Sequence, residues 1–365
     1  MRAIIHVLVS PGIARLFLAQ FLISGQIFLA FSTLSLYTEQ LGGNAWITGV
    51  HTAIFTGLAV LLRFFLGPLA DAYDRKLPLL LGAFVFATSC GFLLVADNLF
   101  LLGLIRAYQG IGLAAYPSAS TALLLDLSPP ESRGVALSLY RGMSALALLV
   151  FSVGGEQLLD RWGYSGLFLV GGALATLAFF LVLSLREAAS GRDRKWISPV
   201  AAAGLSGGSQ QPAFSLSRVL RNFAEVGRRP AVVAIVAAAS LTVVTYLGAT
   251  SFLPLWSQQQ NGGDIKPFFL ALGTGAFLAG FAGGAADRYG PRSALLAALA
   301  ASAAGAAFLC WRPSGPVLLL SGALVGIGYT TSMAAGSTWI DRIVPRHVRA
   351  TAMAFTETGL DTMLS

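Results

Sequence analysis

Residues 67–76 read GPLADAYDRK, and residues 283–292 read GGAADRYGPR. Gly67 falls on Gly283 and Asp71 on Asp287, both 216 positions apart. The same shift carries Pro129 onto Pro345, Arg133 onto Arg349 and Ala136 onto Ala352. One offset that matches two separate segments marks an internal repeat. It divides the chain into two homologous halves, 1–185 and 230–365, joined by a linker over 186–229.

Composition says what kind of halves these are. Of 365 residues, 56% are hydrophobic and only 11% are charged, against about a quarter charged in a soluble domain. So few charges cannot coat a soluble exterior. An ordinary soluble enzyme, a disordered chain and a disulfide scaffold are excluded. Cys90 and Cys310 both lie in apolar runs and suggest no redox framework. Glycine is abundant, at 41 residues, which suits helices that pack closely in a bilayer.

A helix needs about 20 apolar residues to cross the hydrocarbon core. Stretches 16–38, 40–62, 77–96, 107–125, 162–185, 230–263, 267–286, 293–311 and 313–340 contain no Asp, Glu, Lys or Arg. Arg106 and Arg141 interrupt two further apolar runs. The pattern predicts an all-α membrane protein of ten complete spans and an incomplete eleventh after Arg349. The runs do not alternate apolar with polar residues, so a transmembrane barrel is excluded. No cleavable signal peptide is evident before the first span.

Lys and Arg placement sets the expected topology. With the N-terminus cytoplasmic, 18 of the 24 Lys and Arg residues fall in inside segments and three, Arg161, Lys266 and Arg312, fall outside. The net charge of +8 then faces anionic lipid on the inner leaflet of a cell membrane. The positives are spread over many short loops, so nucleic acid is not an expected partner. Residues 186–229 hold eight Arg or Lys against three acids, with several glycines, and read as a cytoplasmic linker. Within them, 215–227 reads either as an amphipathic helix on the membrane surface or as a flexible connector.

Parallel repeats of helical halves occur in carriers that rock two bundles about a central site. The motifs narrow this further. The chain resembles the major facilitator superfamily, whose loop between helices 2 and 3 carries G-x-L-a-D-R-x-G-R-R/K. The matching residues are Gly67, Leu69, Asp71, Arg75 and Lys76, while Ala72 and Asp74 depart from the pattern. The second copy keeps Gly283, Asp287, Arg288, Gly290 and Arg292. The superfamily's helix-4 pattern R-x-x-Q-G-x-G is met by Arg106, Gln109, Gly110 and Gly112. The resemblance implies two six-helix bundles, the second incomplete here, and transport of a small molecule by alternating access.

The loop motif also has a physical reading. Gly67 permits close helix approach at a short turn. Asp71 stands where a carboxylate can meet the positive end of a helix dipole, which in the family belongs to helix 11. Arg75 is expected to pair with Asp126 at the end of helix 4. Such contacts would latch one state and break when the halves rock; a plain charged turn is the alternative.

Charges inside spans cost about 2.5–3.5 kcal/mol or more and are therefore paired or functional. The resemblance links Arg106 to proton coupling; it is expected to hold an anionic group or to repel a proton from an acid. Arg141 is expected to pair with Asp126 or Glu357, or to touch substrate. Glu156, Glu357 and Asp361 are the acids nearest a span interior. Helices 1, 4, 7 and 10 line the cavity in this superfamily, so Gln26, Tyr246 and Tyr329 become candidate substrate contacts, with interhelical hydrogen bonding as their other reading. Gln20 and His51 are further polar residues in spans.

No phosphate-binding loop, metal motif or catalytic constellation is present, so neither an enzyme nor a cofactor or metal is expected. Two departures stand out. Proton-exchanging exporters carry G-P-x-x-G-G in helix 5, and here residues 150–155 read VFSVGG. Shifting Leu185 by 216 places the end of helix 12 about 36 residues beyond Ser365, so the chain is expected to be truncated. The expected function is proton-coupled efflux of drug-like or amphipathic compounds by a monomer. An uptake symporter or facilitator of the same fold, or a truncated non-transporting membrane protein, are the alternatives.

Overall fold

A computed structural model describes residues 10–72, 75–185, 216–259, 265–281, 288–311, 314–345 and 348–361. Every described element is helical, as apolar runs in a bilayer require. Proline opens several helices, where its missing N–H and fixed φ are harmless. The first half comprises α1 (Pro11–Gln40), α2 (Ala45–Ala72), α3 (Lys76–Leu93), α4 (Leu99–Leu127) and α5 (Arg133–Leu183). Asn98 caps α4 by accepting from the Leu101 amide at 2.8 Å. The chain then forms α6 (Leu216–Gly227), α7 (Pro230–Gln259), α8 (Lys266–Phe281), α9 (Pro291–Trp311), α10 (Gly315–Ile343) and α11 (Arg349–Asp361).

Among the described residues, nine stretches are long and apolar enough to cross a membrane. The remaining expected span, the eighth, is α8, which carries a shorter apolar run over Pro267–Gly280. The eleventh begins at Arg349, as expected. Spans five and six are two helices, as expected, with apolar stretches over Pro130–Phe151 and Gln157–Leu183. They form the two arms of α5, broken only at Gly163, whose φ of 62° and ψ of −171° leave the helical region. That φ favours glycine, which lacks a Cβ to clash.

The halves pack internally in matching ways. α2 and α3 lie against α4, and α8 and α9 lie against α10. Glycines bring α10 onto α8: a Cβ at Gly322 or Gly326 would stand 2.2 Å from the carbonyl oxygen of Phe268 or Leu272. Between halves, α5 packs on α8 and α2 on α11. Gly142 and Gly280 mark the α5–α8 crossing, where a Cβ on Gly280 would lie 3.0 Å from the Ser138 oxygen.

The core is not evenly shared. Toward the end that carries Arg75, Arg133, Arg342 and Arg349, the basic end, one buried cluster runs through both halves. It joins Leu124, Val135 and Leu139 to Val232, Ile340, Val348 and Met353. Toward the opposite end the clusters are separate. Leu34, Leu93, Leu102 and Leu167 form one. Leu253, Phe268, Leu272 and Leu318 form another, touched from the first half by Leu148. The halves thus meet over the basic end and the middle.

The linker helix α6 lies across both halves at the basic end. Buried Phe223 lies against Phe64 of α2, with ring centres 4.7 Å apart and planes tilted by 40°, and packs with Ala354 and Phe355 of α11. Its apolar face is therefore used against the protein. Arg229, just beyond it, donates to the Ile343 oxygen at 2.9 Å and pairs with Glu225 at 3.2 Å.

Candidate functional site

Two aspartates gather the charges at the basic end. Asp341, at the close of α10, is almost wholly buried and takes two arginines: Arg133 of α5 at 2.7 Å and Arg349 of α11 at 2.5 Å. Asp126, at the close of α4, takes Arg75 and, at 3.2 Å, Arg349. Arg75 also donates to the Ala122 oxygen at 2.9 Å, and Arg133 to the Leu125 oxygen at 3.2 Å. Arg133–Asp341 and Arg349–Asp126 both bridge the halves. They are repeat-related to within one residue, since Arg133 maps onto Arg349 by 216 and Asp126 stands 215 before Asp341. The interface is therefore close to two-fold and self-complementary.

The expected Arg75–Asp126 contact is present. Arg141 turns to Glu357 rather than Asp126. Lys76 donates to the Leu185 oxygen at 2.6 Å and so closes the end of α5. Gly67 and Asp71 fall in the last turns of α2, where only the backbone is described. Gly283 and Asp287 lie outside the described residues. Arg288 and Arg292 are exposed at the basic end, Arg288 lying 5.4 Å from the Tyr289 ring, and no described acid pairs with either. The second loop copy thus contributes no described ion pair. Glu156 and Asp361 are in helices, with no side-chain description.

Sequence reading gave no role to Asp341, Arg133 or Arg349 in such a network. The signal was available: an aspartate closes the tenth span as Asp126 closes the fourth. Tyr140 was also missed. Its hydroxyl sits between the Gln20 Oε1 and the Ser120 Oγ, the latter at 2.5 Å. Gln20 in turn donates to Ser144 at 2.7 Å and Ser24 at 3.1 Å, tying α1, α4 and α5 together.

Inside the bundle, Arg106 donates to the Gln109 Oε1 at 2.9 Å, and Gln109 donates to the Ser89 Oγ at 3.2 Å. The Arg106 guanidinium lies over the Phe55 ring, 4.1 Å from its centre. Gln26 faces Cys90 at 3.5 Å, an interhelical contact between α1 and α3. Tyr246 of α7 and Tyr329 of α10 stack with centres 4.5 Å apart and planes 20° apart. No described cluster of His, Cys, Asp and Glu has the makings of a metal site.

Known proteins match this arrangement. The purine ribonucleoside efflux pump NepI of Escherichia coli O6:K15:H31 is 26% identical over 176 residues, 47% of this chain and 44% of that protein. An uncharacterized transporter of Buchnera aphidicola subsp. Schizaphis graminum is 29% identical over 162 residues, 44% of this chain and 40% of that protein. The chain spans less than half the length of these curated relatives. Two solved structures share the fold over 97% of this chain. The human organic anion transporter MFSD10 does so with a TM-score of 0.73 at 18% identity, covering 91% of that chain. The proton:xylose symporter XylE does so with a TM-score of 0.69 at 15% identity, covering 86% of that chain. The family model of the Major Facilitator Superfamily matches residues 16–362, and the chain belongs to that family.

Proposed function

We propose that the protein is a secondary transporter that moves a small molecule across a cell membrane by alternating access, acting as a carrier rather than an enzyme. The observation that carries this reading is the ion-pair network at the basic end. Arg133, Asp341, Arg349 and Asp126 come from both halves and can part only if the halves rock. By the positive-inside rule this end, with the N-terminus, faces the cytoplasm. The conformation is then closed inward, with the substrate path on the outer side. The two halves would be 1–185 and 230–365, with 186–229 as cytoplasmic linker. Asp71, Arg75, Lys76 and Asp126 form the first gate element, and Gly283, Asp287, Arg288 and Arg292 its repeat.

Direction and coupling complete the proposal. The likeness to an efflux pump supports export. Glu357 is the described carboxylate inside the bundle, and protonating it would release Arg141, which supports a proton as coupling ion. A monomer is the proposed transporting unit. Drug-like or amphipathic compounds are the proposed cargo. The altered 150–155 segment favours the second reading, uptake on the same fold.

Everted vesicles with an imposed gradient, acid inside, test this. A pH-sensitive dye is followed while lipophilic cations, neutral drugs and organic acids are added. Substrate-dependent loss of the gradient, absent in Arg106→Ala, is the result expected for proton-coupled export. No response, with the protein present in the membrane, overturns export. Substrate-driven proton movement only in right-side-out vesicles assigns uptake.

A further inference from the structure

Three arginines lie inside the bundle, and their charges are met differently. Arg141 meets Glu357. Arg63 donates to the Leu113 oxygen at 3.1 Å and lies within the field of Glu357. Arg106 is 6% exposed and meets no carboxylate among the described residues. Its Nε has no hydrogen-bond partner among the described residues. Its partners among the described residues are a neutral amide and an aromatic face. A charge at this depth is costly, and a cation–π contact offsets only part of that cost.

A second group shares the deficit. His51 of α2 is 7% exposed, lies within the field of Arg106, and has an Nδ1 with no partner. Its ring packs where Gly103 leaves room; a Cβ there would stand 3.3 Å from the His51 Nε2. Arg106 stands about two turns into α4 from the end opposite the basic end. That is the end toward which the two halves keep separate clusters.

We propose that the transported molecule is an organic anion whose carboxylate docks on Arg106, beside His51. The inference rests on the transporter reading and names its substrate class. A guanidinium takes a carboxylate through two parallel hydrogen bonds, so the ligand supplies the counter-charge that no described residue provides. A cationic ligand meets like charge here. A neutral one leaves the arginine uncompensated.

Three probes with one ring separate charge from shape: benzoate, benzamide and benzylamine. Melting of the purified protein in detergent is followed against each. Benzoate is expected to raise the melting temperature saturably, while benzamide and benzylamine bind at least tenfold more weakly. Arg106→Gln is expected to lose benzoate binding tenfold or more. Arg106→Lys, which keeps the charge but not the fork, loses less. Equal binding of benzamide or benzylamine, unchanged benzoate binding in a folded Arg106→Gln protein, or no binding of any probe overturns the site. Flux of labelled probes into proteoliposomes separates this failure from failure of the transporter reading. Benzylamine carried in place of benzoate leaves the transporter standing and removes the anion site. Benzoate bound at Arg106 but not carried does the reverse.

Discussion

Arg141 and Glu357 form an ion pair, and they stand 216 residues apart, the offset that superposes the two sequence repeats. A two-fold operation that exchanges the halves carries each position onto the other. The pair therefore lies on the axis that relates them, one charge supplied by each half. Around it the reciprocal pairs Arg133–Asp341 and Arg349–Asp126 lie to either side.

A pair on the axis tolerates exchange. Removing one partner of a buried ion pair costs about 3–5 kcal/mol, because the other charge is stranded. Arg141→Gln and Glu357→Gln are each expected to lower thermal stability by that order. The exchanged protein, Arg141→Glu with Glu357→Arg, is expected to recover most of it. Melting in detergent of the singles and the double reads this directly. An exchange as damaging as the sum of the singles would place the pair off the axis.

Asp341 and Asp126 differ in burial, with side-chain exposures of 2% and 34%. Asp341→Asn strands Arg133 and leaves buried Arg349 with only the partly solvated Asp126 among the described acids, a loss of about 3–5 kcal/mol. Asp126→Asn loses partly solvated pairs, worth about 0–1 kcal/mol. Alkylation of a cysteine at Thr338, buried at the basic end, is expected to speed up far more in Asp341→Asn than in Asp126→Asn. Equal rates would count against Asp341 as the principal closure.

Two glycines separate packing within a half from packing between halves. Gly326→Ala drives a Cβ into the Leu272 oxygen, an overpacking loss of about 1–3 kcal/mol, and lowers melting. Gly280→Ala meets Ser138 and Gly142 of the other half at 3.0 and 3.3 Å. The halves can yield there by rocking, so it shifts the balance toward an open basic end with less loss of stability. Melting and alkylation measured on both variants distinguish the two effects.

The linker helix binds both halves through Phe223. The Phe223–Phe64 contact is worth about 0.5–1.5 kcal/mol beyond burial. Phe223→Ala is expected to speed tryptic cleavage at exposed Arg221 and Arg228 by roughly tenfold, through local opening. Unchanged cleavage would show that α6 is held by other contacts.

Much of this was legible in the sequence. The repeat and the spans follow from residue type and spacing, because charge-free runs and one shared offset have few other meanings, and the Arg75–Asp126 pair came with the family resemblance. Two things were not legible. The Asp341 network depends on how deeply the ends of α4, α5, α10 and α11 converge, which spacing along one helix does not specify. Arg141 had two candidate acids, and only the packing of α5 beside α11 selects Glu357.

Closure of the basic end by cross-half ion pairs is tested most directly by a distance across it. Glu131 and Arg342 line opposite sides of a cleft of about 410 Å3 between the α4–α5 turn and α10. Spin labels at Glu131→Cys and Arg342→Cys, with Cys90 and Cys310 replaced by serine, report that distance by double electron–electron resonance. Alternating access predicts a short population in the unaltered network and a longer one that grows in Asp341→Asn. A single short distance, unchanged by Asp341→Asn and by any transported compound, would contradict it.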